Sequence, residues 1–76
     1  MTIHQFSALD EMQQIEVFWE GTLVGERKEG EYGIVCRQLD DFYVEYLILG
    51  NIYKGTRAFK SSDLLQPYLE QMSIQI

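Results

Sequence analysis

Apolar positions divide the chain into a helical start and a longer extended region. In the first region they recur at the spacing of one helix face, at Ala8, Met12, Ile15 and Trp19. Ser7 followed by Asp10 resembles a capping box, and Gly21 is placed to end the helix. Alternate residues from Ile15 to Trp19 would also suit a strand, but the start and stop signals favour a helix over about residues 8–20.

The extended region reads as four strands separated by short turns. The predicted strands are Thr22–Lys28, Tyr32–Leu39, Phe42–Leu49 and Ile52–Phe59. The predicted turns are Glu29-Gly30-Glu31, Asp40-Asp41 and Gly50-Asn51. Because two-residue connections join antiparallel neighbours, these segments predict a four-stranded meander. A tight turn and a short helix beginning near Pro67 follow. The fold class is therefore α+β: one helix, the meander and a second short helix, in a single domain over residues 1–76.

Regular pairing across the turns predicts two different sheet faces. It places Leu39 opposite Phe42, Tyr53 opposite Ile48 and Arg57 opposite Val44. One face is then aromatic and cationic, with Val24, Val35, Arg37, Leu39, Phe42, Val44, Tyr46, Ile48, Tyr53, Arg57 and Phe59. The other is aliphatic, with Leu23, Ile34, Cys36, Leu47, Leu49, Ile52 and Ala58. A one-residue slip in any turn would exchange the faces of the affected strand.

The strand Phe42–Leu49 is apolar on both sides except at Glu45, which is typical of a strand covered on both faces. Two helices seldom cover two faces. We therefore expect both helices on the aliphatic face, leaving the face with Arg37 and Arg57 for a second copy, another protein or a ligand. The reverse assignment stays open.

Composition narrows the function classes. The chain has 76 residues, 12 acids against 6 Lys and Arg, and a net charge of −6, which argues against nucleic acids and anionic membranes as partners. The longest strictly apolar run, Tyr46–Leu49, is too short to span a bilayer. The first twenty residues contain acids and no Lys or Arg, unlike a signal peptide, so a cytoplasmic location is expected.

Few residues have the chemistry of a catalyst. The single histidine, His4, falls in a terminus expected to fray, and the single cysteine, Cys36, falls mid-strand where a buried apolar residue is expected. The acid pairs Asp10-Glu11 and Asp40-Asp41 suit a helix start and a turn. No spacing typical of a metal site or a phosphate loop occurs. We expect no enzyme activity, no cofactor and no metal.

The candidate binding residues are the two arginines and the aromatic side chains predicted around them: Arg37, Arg57, Phe42, Tyr46, Tyr53 and Phe59. Arginines can hold a carboxylate or phosphate by forked hydrogen bonds, and Arg with aromatic residues is also enriched at protein interfaces. A purely structural explanation is that both arginines pair with Glu26 and other carboxylates.

Three functions therefore stay open. The first is a non-enzymatic interaction module that forms a homodimer, or binds another protein, through one sheet face. The second is a sensor of a small ligand or anion using Arg37 and Arg57. The third is an acidic inhibitor that mimics nucleic acid.

The chain resembles a set of short bacterial helix/meander/helix proteins in three places: the Phe42-Tyr43-Val44-Glu45 strand, Trp19 and the closing Leu65-x-Pro67-Tyr68-Leu69. The resemblance implies packing motifs and no activity.

Overall fold

The computed structural model describes residues 1–60 and Tyr68, and it has the expected α+β architecture. Its elements are α1 (Ile3–Ser7), α2 (Glu11–Glu20), β1 (Thr22–Glu29), β2 (Tyr32–Leu39), β3 (Phe42–Leu49) and β4 (Ile52–Phe59). The strands form one antiparallel sheet in the order β1-β2-β3-β4, which confirms the meander. The short helix expected near Pro67 lies outside the described residues, apart from Tyr68, which is helical and buried.

The predicted helix is present as α2, which starts three residues later than expected, and a further short helix, α1, precedes it; each begins with a capping box. Thr2 caps α1 by accepting from the Gln5 backbone at 3.1 Å, and Asp10 caps α2 by accepting from the Gln13 backbone at 2.9 Å. The prediction that a helix starts at Ala8 behind Ser7 is therefore wrong, since Ser7 ends α1. His4 lies inside α1 and not in a frayed end.

Gly21 ends α2 as predicted. A Cβ there would lie 2.8 Å from both the Gln38 carbonyl oxygen and a Leu39 methyl carbon, so only glycine lets α2 approach β2 so closely.

The central hairpin has the predicted register, with Leu39 opposite Phe42 and Arg37 opposite Val44. The β3–β4 hairpin begins as predicted, with Tyr53 opposite Ile48, but its register then shifts by one residue. The shift is a β-bulge at Lys54 and Gly55, and Gly55 has a φ of 135°, which side-chain-bearing residues rarely adopt. Beyond the bulge Arg57 lies opposite Glu45, so its predicted pairing with Val44 is wrong.

A second bulge interrupts β1, where the register shifts between Leu23 and Gly25. Leu23 lies opposite Arg37, and Val24 packs with Cys36, Phe59 and Tyr68 on the other side of the sheet. The predicted faces of Leu23 and Val24 are therefore exchanged. An extra residue in a strand reverses the alternation of side chains beyond it.

Helices α1 and α2 pack on the face that carries Arg37, so the expectation that the N-terminal helix covers the aliphatic face is wrong, whereas Tyr68, from the predicted second helix, does pack on that aliphatic face. We call this the helix face; its central side chains are Val35, Arg37, Leu39, Phe42, Val44 and Tyr46. Phe6 from α1 and Phe18 from α2 are buried there against Phe42 and Val44. Rings of the helices pack on rings of the sheet there, Phe6 on Phe42 and Phe18 on Tyr46, with centroid distances of 5.8 and 5.2 Å.

The opposite side, which we call the outer face, carries Ile34, Cys36, Tyr43, Glu45, Leu47 and Leu49 at the centre. Tyr68 packs on it with Cys36 and Phe59. Each side of the sheet therefore has its own buried cluster, as the two-sided apolar pattern of β3 indicates.

Candidate functional site

A buried carboxylate organises the outer face. Glu45 is 2% exposed, yet it lies mid-strand on β3 among apolar neighbours. Its Oε1 accepts hydrogen bonds from Arg57 Nε at 2.9 Å and Nη2 at 2.7 Å. Its Oε2 accepts from Arg27 Nη2 at 3.0 Å and from the Tyr68 hydroxyl at 2.6 Å. We call these four residues, Arg27, Glu45, Arg57 and Tyr68, the Glu45 cluster.

The hydrogen bonds of the cluster keep Glu45 ionised. Burial by itself raises the pKa of Glu45, but the bonds donated by its three partners outweigh burial and hold the pKa below its ordinary value. Burial raises the pKa of Tyr68, and its bond to Glu45 raises it further, so the phenol remains a donor. A buried charge is tolerated when every lone pair is used in this way.

The Tyr68 ring packs into a space on the sheet, which we call the socket, over Gly25 and beside Arg27 of β1. A Cβ on Gly25 would lie 2.8 Å from Cδ1 of the Tyr68 ring, so the absence of a side chain on β1 makes room for that ring. The Arg27 guanidinium carbon lies 5.7 Å from the ring centroid. The socket therefore ties Tyr68 to β1 by packing and to β3 by a hydrogen bond.

Beside the cluster, toward the Gly50 turn, the outer face carries an apolar surface that we call the outer patch: Tyr32, Ile34, Leu47, Leu49 and Ile52. Tyr32 and Ile52 are 38% and 62% exposed, Leu47 and Leu49 are half-buried, and Ile34 is buried. A groove of about 500 Å³ runs over the patch except at Ile52, and its lining includes Glu29, Glu31 and Arg57. The patch therefore combines exposed apolar side chains with charges of both signs.

Arg37 and Arg57, which we expected to form one site, lie on opposite faces of the sheet. Arg37 donates from Nη1 to the Gly21 carbonyl at 2.7 Å, and its guanidinium carbon lies 5.0 Å from the Trp19 ring centroid. It thus holds the end of α2, where a positive charge complements the helix dipole. The two-arginine anion site predicted from the sequence is not formed.

The four aromatic candidates divide in the same way. Phe42 is buried in the helix-face core, and Phe59 is buried on the outer face, stacked on Tyr43 at 5.6 Å between ring centroids. Tyr46 and Tyr53 are half-buried and adjacent on the helix face, with ring centroids 4.8 Å apart. Only these last two remain together near the surface.

The sequence analysis missed the Glu45 cluster. Its signal was the pair of glycines inside strands, Gly25 and Gly55, since an interior strand glycine often marks a bulge or a close approach. Here Gly55 marks the bulge that brings Arg57 to Glu45, and Gly25 marks the approach of Tyr68.

The remaining candidate chemistry is sparse. Cys36 is free and fully buried, and burial raises the pKa of its thiol to about 11. Residues 1–60 and Tyr68 contain no group of three or more His, Cys, Asp or Glu placed to hold a metal ion. Within the same described part of the chain, no helix is long and apolar enough to cross a membrane.

Comparison with known proteins gave no relative: no protein-family model, no curated protein and no solved structure matches the chain. The resemblance to short bacterial proteins therefore stays untested, and any function has to be argued from the two faces of the sheet.

Proposed function

We propose that the protein is a non-enzymatic interaction module that pairs with a second copy of itself through the outer patch. The observation that carries this proposal is an apolar surface, exposed at Tyr32 and Ile52, with acids at one side and a cation at the other. Exposed apolar surface rimmed by polar residues is typical of interaction sites.

The order of the strands makes the patch complementary to itself. Glu29 ends the edge strand β1 and Glu31 follows it in the turn, whereas Arg57 lies on the opposite edge strand, β4. A two-fold axis parallel to the strands, set between two facing outer faces, places β4 of one copy over β1 of the other. Arg57 of each copy then faces the edge strand that ends at Glu29 in the other copy, while the apolar side chains pack between the two sheets.

Arg57 is suited to this double role. Its side chain is 52% exposed although it donates two hydrogen bonds to Glu45. Since guanidinium has five N–H donors, the donors that Glu45 does not use are free to meet a carboxylate across the interface. Glu45 also fixes the guanidinium plane, which lowers the entropy lost on association.

The test is absolute mass by light scattering over a hundredfold dilution. We expect the wild-type protein to have a mass of twice 8.9 kDa and to dissociate on dilution. Ile52→Lys, which adds a charge at the most exposed apolar residue of the patch, should be a monomer throughout. The matched control is Met12→Lys, because Met12 is 70% exposed on α2, on the far side of the sheet. A wild-type monomer at every concentration, or equal loss of dimer in both variants, would overturn the proposal.

A charge exchange gives an independent check. Glu31→Lys should weaken the dimer by placing like charges together, and the wild-type dimer should weaken with added salt.

The separation of Arg37 and Arg57 on opposite faces of the sheet removes the observation on which the anion-sensor hypothesis depended. The acidic inhibitor and the cytoplasmic location stay predictions.

A further inference from the structure

We infer that the socket is a binding site for a phenol, which Tyr68 fills here as an intramolecular ligand and which the phenol of another molecule can fill in its place. The ligand class is a neutral phenol with a substituent opposite its hydroxyl, as in a tyrosine side chain. The outer patch is a different set of residues, so this inference does not depend on the proposed dimer.

The lining of the socket comes from all four strands. The Tyr68 ring lies over Gly25, where a Cβ would come within 2.8 Å of its Cδ1 atom. The guanidinium carbon of Arg27 lies 5.7 Å from the ring centroid. Apolar side chains pack around the ring, one from each strand: Val24, Cys36, Tyr43 and Phe59. The sheet by itself therefore provides these residues.

The polar end of the socket is held by groups other than Tyr68. Glu45 Oε2 accepts from the Tyr68 hydroxyl at 2.6 Å, and it also accepts from Arg27 Nη2 at 3.0 Å. Glu45 Oε1 accepts two hydrogen bonds from Arg57, at 2.9 and 2.7 Å. If Tyr68 leaves, these arginine bonds still keep the carboxylate ionised and oriented. An acceptor that is already fixed loses little conformational entropy when it binds a ligand.

The chemistry of the lining selects a neutral phenol. The Glu45 carboxylate needs a donor, and a hydroxyl gives it a short, charge-assisted hydrogen bond. The Arg27 guanidinium beside the ring favours an aromatic ring over an aliphatic one. An anionic ligand would bring a second negative charge beside Glu45 and is therefore disfavoured. Burial and Glu45 raise the pKa of Tyr68 for the same reason.

Because Tyr68 belongs to the same chain, it competes with any free phenol at the advantage of an intramolecular ligand. The ring is 1% exposed, so the resting protein keeps its socket filled. The affinity of a free phenol is then reduced by the fraction of molecules whose socket is empty. A phenol that binds has to displace Tyr68 from the outer face, which couples ligand binding to release of this residue.

The experiment empties the socket with Tyr68→Ala in the full chain and titrates p-cresol, measuring Tm and calorimetric heat. We expect saturable binding with a Kd on the order of 1 mM and a rising Tm. Toluene, which lacks the hydroxyl, and p-toluate, which is an anion, should each bind at least tenfold more weakly. Wild-type protein should bind p-cresol at least a hundredfold more weakly. If Tyr68→Ala is unfolded by itself, the titration is run in trimethylamine N-oxide, which favours the folded state.

A peptide identifies the source of the phenol. The probe is a synthetic copy of residues 61–76, compared with its Tyr68→Phe form in binding to the Tyr68→Ala protein. Peptide binding tighter than that of p-cresol, and weakened by the loss of its hydroxyl, indicates a chain segment as the ligand. Binding no tighter than that of p-cresol indicates a small phenol.

Second substitutions locate the bound ring. Gly25→Ala, added to Tyr68→Ala, places a Cβ where the ring lies and should raise the Kd for p-cresol at least tenfold. The matched control is Gly33→Ala in the same background. Gly33 is also a strand glycine, but its Cβ would meet only the Ile48 carbonyl oxygen, at an ordinary 3.8 Å, so Kd should not change.

Cys36 gives a readout besides stability, because it is fully buried in the same cluster as Tyr68. In folded Tyr68→Ala protein a thiol reagent should reach Cys36, and p-cresol should protect it better than toluene at equal concentration. The inference is overturned by absence of p-cresol binding to folded Tyr68→Ala, by equal binding to wild type, by equal or tighter binding of toluene or p-toluate, or by binding that Gly25→Ala leaves unchanged.

Discussion

Glu45→Gln is the substitution that most directly tests how the outer face is held together. The change removes one negative charge and almost no volume. Arg27, whose side chain is 15% exposed, then keeps its charge without the buried carboxylate, and Tyr68 loses its charged acceptor. Breaking a buried ion pair by removing one partner costs about 3–5 kcal/mol, because the remaining charge stays desolvated. Since glutamine still accepts one hydrogen bond, we expect about 3 kcal/mol.

A loss of that size is easily measured in a small domain. In a domain of this length each kcal/mol shifts Tm by about 4–8 °C, so Glu45→Gln should lower Tm by roughly 12–24 °C. Urea unfolding followed by Trp19 fluorescence should show a midpoint about 2–3 M lower, with an unchanged slope.

The matched control is Glu29→Gln, because Glu29 accepts from the same Arg27 at 2.8 Å but is 67% exposed. An exposed pair contributes little, so its loss should cost no more than about 0.5 kcal/mol. Equal effects of the two substitutions would refute the argument that burial of Glu45 makes the cluster important.

Four further outcomes are expected. The pKa of Glu45 in the folded protein lies below the ordinary value of 4.5, so the stability that ionised Glu45 contributes is fully present above that pH and is lost as the pH falls through the folded pKa. The Glu45→Gln variant should lack this part of the acid-induced loss of stability, and an acid unfolding profile identical to that of the wild type would contradict the argument. Gly25→Ala places a Cβ 2.8 Å from the Tyr68 ring and should cost about 1–3 kcal/mol in urea unfolding, whereas an unchanged midpoint would show that the ring can move freely. Asp10→Ala should cost about 1 kcal/mol and Asp10→Ser much less, which calorimetric melting would show; equal losses would exclude a capping role. Cys36 should resist a thiol reagent at pH 8 in native protein and react fully in urea, and rapid native labelling would mean that the outer face opens.

The meander could be predicted because its signals are local. The Asp40-Asp41 turn fixes the β2–β3 register, and every predicted pair of that hairpin is confirmed. The fold class followed from the same turns. The predicted start of the helix was wrong because Ser7 and Asp10 are both residue types that cap helices, and only Asp10 does so here. The Thr2–Gln5 capping box, which starts the short helix α1, was not predicted.

The Glu45 cluster could not be predicted from the sequence, because Arg57 reaches Glu45 only when the extra residue of a β-bulge is counted. An alternating pattern assigns Arg57 to the face of Arg37 unless an extra residue is known to lie between Tyr53 and Thr56. Gly55 permits a bulge but does not require one. The choice of face by the helices was open for a related reason, since both faces of β3 are apolar and only the packing of whole rings decides between them.

The two bulges also affect how the chain behaves at high concentration. β1 and β4 are the open edges of the sheet, where unpaired backbone groups invite another strand to add on, and each edge carries one bulge. A bulge bends and twists an edge, so a flat partner strand cannot follow it. Deleting Lys54 would leave Arg57 opposite Glu45 and every side chain beyond it on its present face, but would give β4 a regular edge. The extra residue is therefore not needed to place these side chains, and we expect the deletion variant, with its regular edge, to be more prone to fibre-like assembly through the edge strands.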